Sequence, residues 1–91
     1  MSYTRLNPKI TTRRVQSPVI NADLDVKHVI ALPTVSGYTP VGILCVENQH
    51  PGAYTIGSYY IDGTNAIVWK HRLVSGPTTT YVHVTALYVQ A

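Results

Sequence analysis

The stretch Tyr59-Tyr60-Ile61-Asp62-Gly63-Thr64-Asn65-Ala66-Ile67-Val68-Trp69 constrains this chain more than any other, because it reads as two β-strands joined by a tight turn. Asp-Gly between alternating apolar runs signals a two-residue hairpin, and a type I′ turn needs positive φ at both central residues. With Asp62 and Gly63 at its centre, the turn pairs Ile61 with Thr64, Tyr60 with Asn65, Tyr59 with Ala66 and Ile56 with Trp69. That register predicts one face carrying Tyr54, Ile56, Tyr60, Ile67 and Trp69 and another carrying Tyr59, Ile61, Ala66 and Val68. Both faces are apolar, so something must cover each.

The rest of the chain repeats the strand pattern. Residues 24–32 alternate, with Leu24, Val26, His28, Ile30 and Leu32 on one parity. Val41-Gly42-Ile43-Leu44-Cys45-Val46 is a continuous apolar run too short for a helix, which fits a strand buried on both faces and makes Cys45 a packing residue. In the last strand Val82, Val84, Ala86 and Tyr88 face one way and Tyr81, His83, Leu87 and Val89 the other. Turns are expected at residues 33–40, 48–53 and 75–77 from their Pro, Gly, Ser and Asn. Five or six strands at such spacing, with no helical periodicity, predict an all-β fold, a small antiparallel sandwich or barrel, of which a jelly-roll-like β-sandwich is the expected form.

Ninety-one residues make one domain, and a chain this short buries only roughly 60–65% of its unfolded surface. Small domains compensate with disulfides, metals or association, and a single cysteine removes the first. With charged residues only 12% of the chain and no helix to cover the second faces, identical neighbours are the expected cover. Tyr59, Ile61 and Val68 of the hairpin, with Val84 and Tyr88 of the last strand, are the expected contacts of that homo-oligomer. Residues 1–20 are expected to be an extended basic arm with one short strand at Ile10 to Val15, and residues 21–91 the head domain. Arg5, Lys9, Arg13 and Arg14 supply the arm's charge, a signal too sparse to make nucleic acid the expected partner. No apolar run approaches the ~20 residues of a membrane helix, and Met1-Ser2-Tyr3-Thr4-Arg5 lacks the apolar core of a signal peptide, so a soluble product made in the cytoplasm is expected.

Catalysis finds few parts. No Gly-x-Ser-x-Gly occurs, the four acids Asp23, Asp25, Glu47 and Asp62 are scattered, and Asp62 is claimed by the turn. No catalytic residue, cofactor or metal site is expected. His28 and His83 could meet on a threefold axis to hold a metal, but a strand histidine bonded to backbone or water is the simpler expectation. Binding is the remaining class: Tyr38, Gln49, His50 and Tyr54, placed on the loops 35–39 and 48–54, carry the aromatic and amide groups that recognise sugars. These two loops flank one strand, at its opposite ends.

From Leu32 onward the chain resembles a known module. The matching pieces are Leu32-Pro33, Ser36-Gly37-Tyr38-Thr39-Pro40-Val41-Gly42-Ile43, Gly57-Ser58-Tyr59-Tyr60-Ile61-Asp62-Gly63-Thr64 and the closing Val82-His83-Val84-Thr85-Ala86-Leu87-Tyr88-Val89. They resemble the C-terminal head modules of phage and prophage tail-fibre or minor structural proteins. The resemblance implies a small β-sandwich, commonly trimeric, placed on the virion for host attachment through a cell-surface glycan or protein receptor.

Overall fold

The computed structural model describes residues 9–21, 25–73 and 79–91. Eight strands follow in order: β1 (Ile10–Gln16), β2 (Ile20–Asn21), β3 (Asp25–Ala31), β4 (Tyr38–Asn48), β5 (Tyr54–Asp62), β6 (Asn65–Arg72), β7 (Thr79–Thr80) and β8 (Val82–Gln90). They form two three-stranded antiparallel sheets, β1-β8-β4 and β3-β6-β5, and a short β2-β7 ladder. The fold is all-β and sandwich-like, and no helix occurs among the described residues. Leu24 and the turn expected at residues 75–77 lie outside them.

Alternation drives the layering. Val82, Val84, Ala86 and Tyr88 of β8 meet Ile30, Ala66 and Val68 of β3 and β6, with Leu32 just beyond β3, in one core cluster between the sheets. A second, smaller cluster of Val26, Ala53 and Tyr54 sits towards the β4–β5 loop. Val68, Val84 and Tyr88 are each 0% exposed inside this core. They face the opposite sheet of their own chain and cannot contact a neighbour, which corrects their expected place at a subunit interface. Of the other two, Ile61 packs against the core from the side and Tyr59 is half-exposed on the edge strand β5.

The hairpin forms one residue out of the expected register. Asp62 pairs with Asn65, Ile61 with Ala66, Tyr60 with Ile67 and Tyr59 with Val68, so Gly63 and Thr64 occupy the turn centre. Gly63 has φ 62° and Thr64 stays in the negative-φ region, the pattern of a type II′ turn, which wants glycine at its first central position. Gly63 serves either turn, and the register that forms sets Ile61 opposite Ala66 and Tyr59 opposite Val68. A bulge between Ile56 and Tyr59 then switches parity. Tyr54 and Ile56 join the inner face with Ile61, Ala66 and Val68, while Tyr60, Ile67 and Trp69 form the outer face.

Two further irregularities reshape β4, between Pro40 and Gly42 and between Ile43 and Cys45. Val41 and Leu44 are the extra residues and are 51% and 57% exposed. The strand is therefore not buried on both faces. Pro40, Ile43, Val46 and Asn48 pair with inward residues of β8, and Cys45, opposite Thr85, is exposed on the outer face. The expectation of a packed Cys45 fails because two extra residues break the simple alternation. At the N-terminal side, Ile10–Gln16 lies along the whole of β8 as an edge strand, so this part of the expected arm belongs to the sandwich.

Candidate functional site

The loop 49–53 between β4 and β5 is held by backbone and side chains from three directions. Gln49 donates its N–H to the Tyr81 carbonyl at 3.3 Å and accepts the Tyr81 N–H on Oε1 at 3.2 Å, extending the β4–β8 ladder beyond its end. The His50 carbonyl accepts the N–H groups of Ala53 at 2.9 Å and Tyr54 at 3.0 Å, closing a turn. Asn48 Nδ2 donates to the Tyr54 carbonyl at 2.9 Å. His50 pays for this closure with φ 61°, the one non-glycine residue in the left-handed region among those described.

Beneath the loop lies a buried cation. The Lys70 ammonium, 0% exposed, donates to Thr80 Oγ1 at 2.6 Å and to the carbonyls of Gln49 and Tyr81 at 3.4 Å each, and stands 4.8 Å from the centre of the Tyr54 ring. Burial lowers its pKa to about 8. On the neighbouring strand His28 is equally buried, with Nδ1 3.3 Å from Ser17 Oγ and Nε2 without a partner. Burial, followed by the Lys70 charge, pushes its pKa down to about 4, so the ring is neutral near pH 7. Ser17 Oγ in turn accepts the Val82 N–H at 2.9 Å. These groups lie inside the sandwich, and of them Lys70 braces the loop, through the Gln49 carbonyl.

Outside the loop opens a polar cleft of about 440 Å³. Its wall is a two-point ion pair: Arg14 Nε donates to Glu47 Oε1 at 2.7 Å and Nη2 to Oε2 at 3.0 Å. Because Arg14 lies on β1 and Glu47 on β4, the pair bridges the two edge strands over β8. The hydrogen bond from Arg14 holds the Glu47 carboxyl below the usual carboxylate range, and the same bond raises the guanidinium. Tyr81 and His83 meet edge to face in the cleft with ring centroids 5.5 Å apart. Asn48, Gln49 and His50 complete the lining.

Gln49 and His50 therefore stand at this site, as part of its loop. Tyr54 does not: it is 0% exposed under Lys70, and its expected role as a ligand contact is corrected by the bulge that turns it inward. Tyr38 lies at the far end of β4, where it lines an apolar pocket of about 210 Å³ with Leu32, Val35 and Tyr88. There Tyr88 Oη donates to the Pro33 carbonyl at 2.7 Å, and burial raises its pKa. Ser36 and Gly37, with Gly37 at φ 79°, form the turn beside that pocket, closed by the Tyr38 N–H on the Val35 carbonyl.

Arg14, Glu47 and Tyr81 escaped sequence reasoning as site residues, and His83 entered it only as a candidate metal ligand on a symmetry axis. Alternation in the last strand does place Tyr81 and His83 on one outward face, but only the pairing of β1 beside β8 brings Arg14 to Glu47. No cluster of three metal-ligating side chains occurs among the described residues. No family model matches this chain, and neither the curated proteins nor the solved structures contain a significant match to it.

Proposed function

We propose that this chain is a non-enzymatic structural head domain of viral or prophage type, which self-associates and holds the loop 48–54 out for attachment to a host-cell receptor. The observation that carries this reading is the bracing of that loop. A surface loop tied to β8 by Gln49 and Tyr81, and underpinned by a buried lysine, is a rigid display element, and rigid scaffolds with polar loops are a common arrangement for recognition. The resemblance from Leu32 onward supports the virion as the setting and a trimer as the assembly. Self-association draws support from Val29 and Tyr60, 45% and 46% exposed on the outer face of β3-β6-β5.

A purely structural subunit is the second reading, favoured by that same apolar outer face, which packing alone would use. Attachment separates the two. Fluorescently labelled chain is incubated with a panel of bacterial strains, beside a His50→Asn variant that keeps a residue tolerant of positive φ. Retention on some strains, weakened by His50→Asn with the oligomer intact, is the expected result. No retention on any strain leaves a structural subunit.

A further inference from the structure

We infer that the cleft beside the loop 48–54 binds a neutral saccharide, with Arg14 and Glu47 bonding sugar hydroxyls and Tyr81 and His83 packing against the C–H face of the ring. This ligand class deepens the attachment reading and stands on it.

The charges of the cleft favour an uncharged guest. Arg14 spends two of its N–H donors on Glu47, and the two formal charges cancel at contact distance. A phosphate or carboxylate ligand that took the remaining Arg14 N–H groups would lie beside the Glu47 carboxylate, which repels it. A metal ion would find one carboxylate, already committed. What the pair does offer is a donor and an acceptor side by side. Glu47 keeps lone pairs and Arg14 keeps N–H groups beyond those used between them, and both side chains are about half-exposed, 51% and 55%. Adjacent hydroxyls of a pyranose present the complementary acceptor and donor.

The rings supply the other half of sugar recognition. A saccharide has apolar C–H faces that aromatic surfaces cover, and Tyr81 and His83 both line the cleft with their rings at 89° to one another. Tyr81 is positioned firmly: its N–H goes to Gln49 Oε1, and its carbonyl takes the Gln49 N–H and the Lys70 ammonium. The backbone that carries the ring therefore needs no ordering on binding. The volume of about 440 Å³ also falls within the roughly 300–1,000 Å³ typical of small-molecule sites.

The test is an array of uncharged, sialylated and sulfated glycans probed with the labelled full chain, followed by calorimetric titration of the free oligosaccharides that bind. Binding to uncharged glycans is expected, weakened about tenfold or more in Arg14→Met and in His83→Ala, the loss of one charge-assisted bond or one packing ring. Thermal melting of each variant checks that it folds, and Tyr81→Leu, which keeps the backbone bonds, gives a third reading of the same cleft. Binding confined to sialylated or sulfated glycans overturns the inference, as does binding unchanged in all three folded variants or an array with no bound uncharged glycan. Attachment to cells that protease treatment abolishes, with an empty array, refutes the saccharide and leaves the attachment reading standing, whereas absence of both cell and glycan binding refutes the two together.

Discussion

Lys70 shows how one buried side chain governs the site end of the molecule. Its ammonium ties Gln49, Thr80 and Tyr81 together, yet burying it without a carboxylate costs stability. Lys70→Met should therefore leave global stability within about 1 kcal/mol of wild type or raise it, while hydrogen exchange at the Gln49 and Tyr81 amides accelerates. Since the pKa falls from 10.5 to about 8 on folding, the native state sheds its proton first, and this group adds stability as pH rises through that window. The difference between wild type and Lys70→Met in chemical denaturation should change between pH 8 and pH 10 and stay constant from pH 6 to pH 7.5. His28 acts at the other end of the scale. Its folded pKa of about 4 lies below the ordinary 6.5, so stability is lost as pH falls from 6.5 to 4, where the unfolded chain takes the proton more readily. The loss, on the order of 2 kcal/mol with the polar surroundings of the ring allowed for, should shrink in His28→Leu when urea midpoints at pH 4.5 and pH 7 are compared. Neither role was legible in the chain. Alternation placed His28 on the buried parity, but nothing beside Lys70 in sequence marks it for burial, which comes from Gln49, Thr80 and Tyr81 closing around its ammonium.

At the scale of elements, the strands were readable wherever alternation ran unbroken and unreadable wherever an extra residue entered. In β3 and β8 the buried sets Val26, His28, Ile30 and Val82, Val84, Ala86, Tyr88 follow the period of two without exception. In β4 and β5 the bulges at Val41, Leu44 and residues 57–58 shift the parity; Gly42 and Gly57 are local signals for two of them, and none marks the one at Leu44. The hairpin register failed on a subtler conflict. Asp62-Gly63 and Gly63-Thr64 are both acceptable turn centres, and the choice falls to which one aligns Ile61 with Ala66 and Tyr59 with Val68 on the core face. The type II′ turn makes a sharp prediction. Gly63→Ala forces an L side chain to φ 62° and should cost about 1–2 kcal/mol although open space surrounds the position, whereas Asp62→Ala should cost well under about 1 kcal/mol because the turn centre does not include it. Urea denaturation of the two variants decides between the registers, since a type I′ turn centred on Asp62-Gly63 would make both substitutions costly.

For the molecule as a whole, the polar site was half legible: Gln49 and His50 announced the loop, but the cleft exists only because an N-terminal strand and a mid-chain strand flank the last one, a juxtaposition of residues far apart in sequence. The same architecture moves the expected self-association to a different surface. An inward Asp at Val68 or Val84 would strand a charge between the sheets, at several kcal/mol, against the roughly 5–15 kcal/mol of a whole small domain. Such a variant should unfold the chain and so says nothing about neighbours. The outer face of β3-β6-β5 is the surface that does. There Val29 and Tyr60 flank the buried Ile67, Trp69 Nε1 reaches Tyr60 Oη at 3.5 Å, and Lys27 stands 5.6 Å from the centre of the Trp69 ring. If identical chains cover this face, light scattering at micromolar concentration should give a multiple of 10.0 kDa for wild type. Val29→Asp and Tyr60→Asp, each placing a charge on the face but none in the core, should then return the mass towards one chain with the β-sheet circular dichroism retained. A wild type that stays at 10.0 kDa refutes self-association altogether, and an oligomer indifferent to both substitutions places the contact on another face.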